Sequence, residues 1–296
     1  ENDTVSANSV YRLGSKIGEG SRARVYLASD SSQDGKKVAI KFLKDELFPE
    51  SQNATDNLNY EAQILTLSAH PNVLAKLNVE TNEQGQSYLI TEYLSGQTLK
   101  QKFSAGAVDA LSVMNLFVQL THPIENMHKV GVLHLDLRPD KIIVDDLKKN
   151  PNPKIIGLGR AKFLPWAGRE QVVEPPPKAD LYSLQYTSPE QLNDKRCLPT
   201  SDVYALGCIL YEALAGRPPY VGENELHVMA QHLSGKALPP SQVKGDANLK
   251  KYDDVVMQAL ANETHRRFVD AAEFRQALQD SLPPAPSGWM AKLFKK

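Results

Sequence analysis

A glycine pair, a lone lysine in an apolar strand and a carboxylate at helical spacing are the first residues of this chain whose types and order could do chemistry. Gly18-Glu19-Gly20 lies between two strand-like stretches and leads to Val25. Glycines in such a turn let a hairpin's backbone approach phosphates closely. Taken alone, a Gly-x-Gly turn is more often a plain tight hairpin, and the place of a third glycine is held by Ala23. Val38-Ala39-Ile40-Lys41 strengthens the phosphate reading, because an otherwise apolar run carries one lysine able to reach into a cleft. An ordinary edge-strand lysine is the alternative. Glu61, on the inward side of a helix-like stretch, supplies a carboxylate that could pair with Lys41 and orient it.

The elements that must position these groups follow from periodicity. Residues 11–17, 24–29 and 37–43 are predicted as strands separated by glycine-containing turns. Over 54–69 the period changes. Leu58, Ala62, Leu65 and Ala69 share one face and Ile64 and Leu67 broaden it, which predicts a helix ending before His70-Pro71. Strand signals return around 73–79 and 87–91, so the first part is a small β-rich lobe with one main helix. Beyond Ser95-Gly96 the pattern is helical, over 110–128, 201–215, 224–234, 250–261 and 271–281, with Pro123 expected to kink the first of these. Two proline clusters, 175–177 and 283–286, read as stiff, extended punctuation.

Composition excludes some functions. The 296 residues carry 34 Lys plus Arg against 35 Asp plus Glu, a formal net charge of -1. A protein that lives on nucleic acid or an anionic membrane usually has a basic excess, so no nucleic-acid partner is expected. With 41% hydrophobic residues the chain can bury a sizeable core, and its length suits two domains or one large fold with two lobes around a cleft. Cys197 and Cys208 are too few for a disulfide framework, which points to a reducing, cytoplasmic location. The longest apolar stretch, 203–216, is interrupted by Glu212 and is too short to span a bilayer. The 287–296 tail sets Trp289, Met290, Leu293 and Phe294 among lysines, which reads as an amphipathic membrane or partner contact or as a frayed end.

The most specific signal is His134-Leu135-Asp136-Leu137-Arg138-Pro139-Asp140-Lys141-Ile142-Ile143-Val144, which resembles the catalytic loop of eukaryotic-type Ser/Thr protein kinases, bacterial members included. The resemblance implies an α+β, bilobal fold, with a β-rich N-lobe over 11–91, a hinge at 91–95 and a mostly helical C-lobe over 96–282, flanked by a flexible 1–10 and a 283–296 spacer and tail. It also implies roles. Gly18 and Gly20 would cover phosphates, Lys41 would hold them with Glu61 as its partner, and Val25, Ala39 and Ile143 would sandwich adenine beside a hinge of Thr91, Glu92 and Leu94. Asp136 would be the catalytic base, or a residue that shapes its loop. Ser188-Pro189-Glu190 resembles the family's Ala-Pro-Glu, Asp202 the aspartate that holds the catalytic loop, and Arg267 the partner of Glu190. Leu65, His134 and Leu158 resemble the family's internal spine.

Two positions depart from the family, whose Mg²⁺ is held by an Asn of the catalytic loop and the Asp of Asp-Phe-Gly. They are Lys141 and, in Gly157-Leu158-Gly159, Gly157. Two unit charges ~4 Å apart repel by ~4 kcal/mol at an effective dielectric of about 20, and a divalent ion doubles this, so Mg²⁺ is not expected. Lys41, Arg138 and Lys141 converge on the phosphate region, and such fixed cations could hold ATP weakly or without metal. Leu135 replaces the arginine that grips an activation-loop phosphate, and residues 160–181 contain no Ser, Thr or Tyr, so that switch has no means to operate. Phe163, Leu164, Pro165 and Trp166 in that loop either pack on the domain or dock a partner.

The reading drawn from these departures is a pseudokinase that regulates or scaffolds protein partners, and the leaning is away from an enzyme. The alternative is an unconventional, active Ser/Thr kinase in which Asp140, Asp145 or Asp146 recruits metal; a nucleotide-free scaffold is the second. Bacterial members often continue through a basic segment to a membrane helix, so the chain could be the cytoplasmic part of an anchored protein.

Overall fold

A computed structural model describes residues 8, 10–44, 46–48, 51–106, 109–145, 151–168 and 180–283. The proline cluster at 175–177, the 287–296 tail and Asp146 lie outside the described residues.

Strands β1 (Tyr11–Glu19), β2 (Ala23–Asp30) and β3 (Lys36–Leu43), helix α1 (Ser51–Leu67) and strands β4 (Lys76–Thr81) and β5 (Ser87–Glu92) form the smaller lobe. The sheet is antiparallel, in the order β1-β2-β3-β5-β4. Period-2 alternation in β3 explains what it presents. Val38, Ile40 and Phe42 are buried on one face with Ala28, Tyr88 and Ile90, while Ala39, Lys41 and Leu43 face a cleft on the other. Directly paired residues share a face, and the register sets Val25 opposite Lys41 and Thr91 opposite Ala39. Helix α1 buries Leu58, Ile64 and Leu65 in the same core as Leu43 and Leu89.

Two expectations need correcting here. The helix starts earlier than predicted, at Ser51, and the strand expected from 73 starts at Lys76. Val73 instead makes a single parallel bridge to Ile155, and the Leu74 N–H donates to the Ile155 carbonyl at 2.9 Å, so the larger lobe captures this stretch before it joins the sheet.

In the larger lobe β6 (Gln97–Thr98), α2 (Leu99–Ser104) and α3 (Ala110–Lys129) lead into short strands β7 (Val132–Leu133), β8 (Ile142–Val144), β9 (Lys154–Ile155) and β10 (Lys162–Phe163). Strands β6, β8 and β9 form one small sheet, and β10 pairs with β7. Helices α4 (Leu181–Leu184), α5 (Pro189–Leu192), α6 (Pro199–Ala215), α7 (Glu225–Ser234), α8 (Pro240–Lys244), α9 (Lys250–Ala259) and α10 (Ala271–Asp280) complete the α+β architecture. Every residue of α6 from Val203 to Tyr211 is buried, Cys208 among them, as befits a central helix apolar on all sides. Helix α3 runs through Pro123 to Lys129 rather than breaking there, because its packing on α6 and α10 outweighs the lost backbone bond. Among the described residues no helix is long and apolar enough to cross a membrane.

Candidate active site

A cleft of about 400 Å³ lies where the sheet meets the larger lobe. The turn between β1 and β2 contributes Gly18 and Gly20 above it, followed by Val25. Ala39, Lys41 and Thr91 line its back, and Glu92 and Leu94 line the passage between lobes. Below are Ile143 on β8 and the Asp136, Arg138 and Lys141 loop that precedes it, while Glu61 reaches in from α1. The residues singled out from the sequence for the nucleotide and for Asp136 chemistry thus border one space.

Their partners differ. Glu61 is 3% exposed, and a carboxylate buried that deeply is costly unless paired; it forms an ion pair with Lys41. A Cβ at Gly159 would stand 2.8 Å from Glu61 Oε2, so only glycine lets the backbone lie against this pair. Arg22, which the sequence reading missed, ties the glycine turn to the same place: its guanidinium donates to the Gly159 carbonyl at 3.1 Å and to Asn57 Oδ1 at 3.3 Å. The Glu92 carboxylate is taken by the Ala75 N–H at 2.9 Å and Lys154 Nζ at 2.6 Å.

The loop that carries Asp136 is anchored from below. Asp202, 1% exposed near the start of α6, accepts the N–H groups of His134 and Leu135 at 2.9 Å each and lies 2.9 Å from His128 Nε2. Burial alone would raise its carboxyl, but His128, His134 and these N–H groups hold it below the usual range. Leu135 takes a left-handed φ of 56°, and the Asp136 N–H closes back on His134 Nδ1 at 3.2 Å. Glu190 and Arg267 form a buried two-pronged pair at 2.7 and 2.9 Å. Leu65, His134 and Leu158 are all buried.

Arg138 does not behave as the sequence suggests. It borders the cleft, yet its guanidinium is spread over three carboxylates, Asp140 at 3.1 Å, Asp136 at 3.5 Å and Asp180 at 3.9 Å, and sits 5.7 Å from the Tyr182 ring. It is therefore not a free cation aimed at phosphates. Arg160, also missed, stands 3.6 Å from Asp136. Lys141 is different: among the described residues its ammonium has neither a hydrogen bond nor a carboxylate within 4 Å. Its side chain lies beside Gly157, whose φ is +76°; a Cβ there would be 2.8 Å from Lys141 Cδ and 3.0 Å from Nζ. Burial pushes the Lys141 ammonium down, Asp136 and Asp140 oppose this, and Arg138 and Lys41 add to it.

In the apolar stretch that follows, Phe163 and Leu164 are 2% and 4% exposed and Trp166 is 64% exposed, so the first two pack on the domain and the tryptophan faces solvent.

Residues 11–281 match the protein kinase domain. The chain belongs to the protein kinase family. It is 30% identical over 286 residues to serine/threonine-protein kinase PknB of Mycolicibacterium smegmatis, covering 93% of this chain and 44% of that protein. It is 30% identical over 276 residues to a probable serine/threonine-protein kinase of Corynebacterium efficiens, covering 91% of this chain and 41% of that one, and 30% identical over 274 residues to PknB of Mycobacterium leprae, covering 90% and 42%. The chain spans about two fifths of the length of these curated relatives.

These relatives correct the leaning away from an enzyme: proteins alike across nine tenths of the chain carry kinase names. Kinases use ATP, ordinarily with Mg²⁺, and nothing in the relatives excludes that ion. The structural fact is narrower. The family's two ligand positions hold Lys141 and Gly157, and the lysine occupies the space beside the glycine. Asp140 faces Arg138, Asp145 is exposed at the end of β8, and among the described residues no cluster of three His, Cys, Asp or Glu could hold a metal. The residues present do not fit a metal in its ordinary place.

Proposed function

We propose that this domain is an ATP-dependent Ser/Thr protein kinase of unconventional cleft. What carries the reading is the coincidence, in one cleft, of the Lys41–Glu61 pair with Asp136 on a loop fixed by Asp202. The pair presets the lysine that receives phosphates, and it is the arrangement the family requires for transfer. Val25, Ala39 and Ile143 offer apolar surface to an adenine from two sides, and the backbone of the Thr91–Leu94 passage offers hydrogen bonds to its edge.

In the transfer step the acceptor hydroxyl oxygen attacks the γ-phosphorus, its proton passes to the Asp136 carboxylate, and the bond from the γ-phosphorus to the bridging oxygen breaks to leave ADP. Arg138 and Arg160 flank Asp136 at 3.5 and 3.6 Å and orient its carboxylate toward the incoming hydroxyl.

The test is label transfer from ATP to Ser/Thr peptides and to the protein itself, with Mg²⁺, with Mn²⁺ and with EDTA, on wild type and Asp136→Asn. The expected result is labelled serine or threonine that falls by about two to four orders of magnitude in the variant. Nucleotide binding with no transfer in any condition overturns the kinase reading.

A further inference from the structure

We propose that Lys141 is a built-in replacement for the divalent metal, so that the cleft takes a nucleoside triphosphate free of metal. The inference rests on the nucleotide-binding part of the reading above and concerns how the phosphates are held. Against the family pattern this corner has lost one carboxylate, at Gly157, and gained one ammonium, at Lys141. The local charge is thereby more positive by two units, the charge of one divalent ion.

Geometry makes the two changes one device. The Lys141 stem lies within 2.8 Å of where a Cβ on Gly157 would sit, so an aspartate at 157 and the lysine in its present place exclude each other. The lysine therefore stands in the room of the missing metal ligand. A lysine that merely filled this space would be expected to end on one of the nearby carboxylates. Asp136 and Asp140 are close enough to act on Lys141 electrostatically, yet neither lies within 4 Å of its ammonium, and Arg138 lies between them in charge, engaged with both. The cleft cations thus divide. Lys41 is held by Glu61, Arg138 by three carboxylates, and Lys141, among the described residues, keeps its hydrogen-bond donors unspent at the border of the cavity. Half-buried ammonium donors are strong ligands for phosphate oxygens, since the bond is charge-assisted and formed partly out of water. A triphosphate entering beneath Gly18 and Gly20 would meet Lys41 and Lys141 where it ordinarily meets a lysine and a metal.

The experiment measures binding of ATP, ADP and AMP to the whole chain by fluorescent-nucleotide displacement and thermal shift, in EDTA and in Mg²⁺ or Mn²⁺. The variants are Lys141→Met, which keeps the stem without the charge, Lys141→Arg, which keeps the charge, and Lys141→Asn combined with Gly157→Asp. Wild type should bind ATP in EDTA, more tightly than AMP, and added metal should leave this unchanged or weaken it, because the metal neutralises the phosphates the lysines hold. Lys141→Met should lose about ten- to a hundredfold in ATP affinity in EDTA with little change for AMP, Lys141→Arg should retain most of it, and the double variant should bind ATP only with metal. Tightening of wild type by metal of about threefold or more, or a Lys141→Met protein that is folded and binds ATP in EDTA like wild type, overturns the inference and leaves the nucleotide-binding reading standing. Absence of nucleotide binding in every condition overturns both. Thermal unfolding of each variant without nucleotide separates loss of binding from loss of fold.

Discussion

Two cations of the larger lobe sit in opposite surroundings. Arg267 is 3% exposed and every arm of its guanidinium is used: Nε donates to the Ala261 carbonyl at 2.6 Å, the two terminal nitrogens to Glu190, and further bonds reach the Thr200 and Asn262 carbonyls. Lys141, half-buried at the cleft, has no such partner among the described residues. The contrast separates two uses of a buried charge. A charge satisfied on all sides holds the frame in one arrangement; a charge left unspent beside a cavity is complete only when something enters. It also explains how a frame can be kept whole while the corner beside it changes chemistry.

The sharpest way to break the frame side of the comparison is Arg267→Met. Removing the guanidinium leaves Glu190 buried with, among the described residues, only Ser201 as a side-chain partner, at 2.6 Å. The expected loss of stability is about 3–5 kcal/mol, read from denaturant unfolding. The matching loss at the cleft is expected to be small, since Lys141→Met removes a charge that no group among the described residues satisfies. Similar losses at both positions would erase the distinction.

A second, smaller test uses pH. His232 on α7 is fully buried, with Nδ1 2.7 Å from the Tyr204 hydroxyl and Nε2 without a partner among the described residues. Burial lowers it from 6.5 to about 4. The Tyr204 hydroxyl, raised far above its usual range by burial, stays protonated and donates to Nδ1. A histidine depressed in the folded state contributes stability that is complete above its unfolded value and is lost as pH falls toward the folded one. Wild type should therefore lose about 2–3 kcal/mol more than His232→Gln between pH 6.5 and 4.5. Below that window the carboxyls of Glu190 and Asp202, held down in the folded state, begin to add their own acid loss. Parallel stability curves for the two proteins across the window would show that His232 titrates normally.

How much of this was legible depended on how local the determinants are. Lys41 on the cleft face follows from alternation in one strand, and the placement of Glu61 follows from spacing in one helix, so both could be read along the chain. Arg138 could not. Its partners include Asp180, which only the tertiary fold brings beside it, and so the sequence counted it as a free phosphate ligand when its charge was already taken. Arg22 and Arg160 were missed for the same reason, since each acts on a residue far away in sequence or across a loop. Among the strands, β7 and β10 are two residues each, too short for any period to register, and Val73 was drawn from its predicted strand by a bridge to Ile155. The exclusion between Lys141 and a side chain at 157 was likewise invisible, because motif comparison gives two separate departures and only the fold sets one against the other.

The smallest effect tests that exclusion directly. In Gly157→Ala the new Cβ meets two costs: a left-handed φ of +76° that L-residues resist, and contact with the Lys141 stem. The first is intrinsic and amounts to about 1 kcal/mol. The second falls on a flexible side chain that can swing away, so it should add only about 0.5 kcal/mol, and it should vanish when Lys141 is shortened. A double-mutant cycle of Gly157→Ala with Lys141→Ala, read from denaturant midpoints, should therefore show a coupling of about 0.5 kcal/mol over and above the backbone term. A coupling of zero would mean that lysine and glycine are independent, and the corner would then be two unrelated losses. A coupling of the expected sign that vanishes with the shortened side chain ties them through the space the lysine now fills, because the backbone link from the Ile156 N–H to the Lys141 carbonyl at 2.9 Å is present in every member of the cycle.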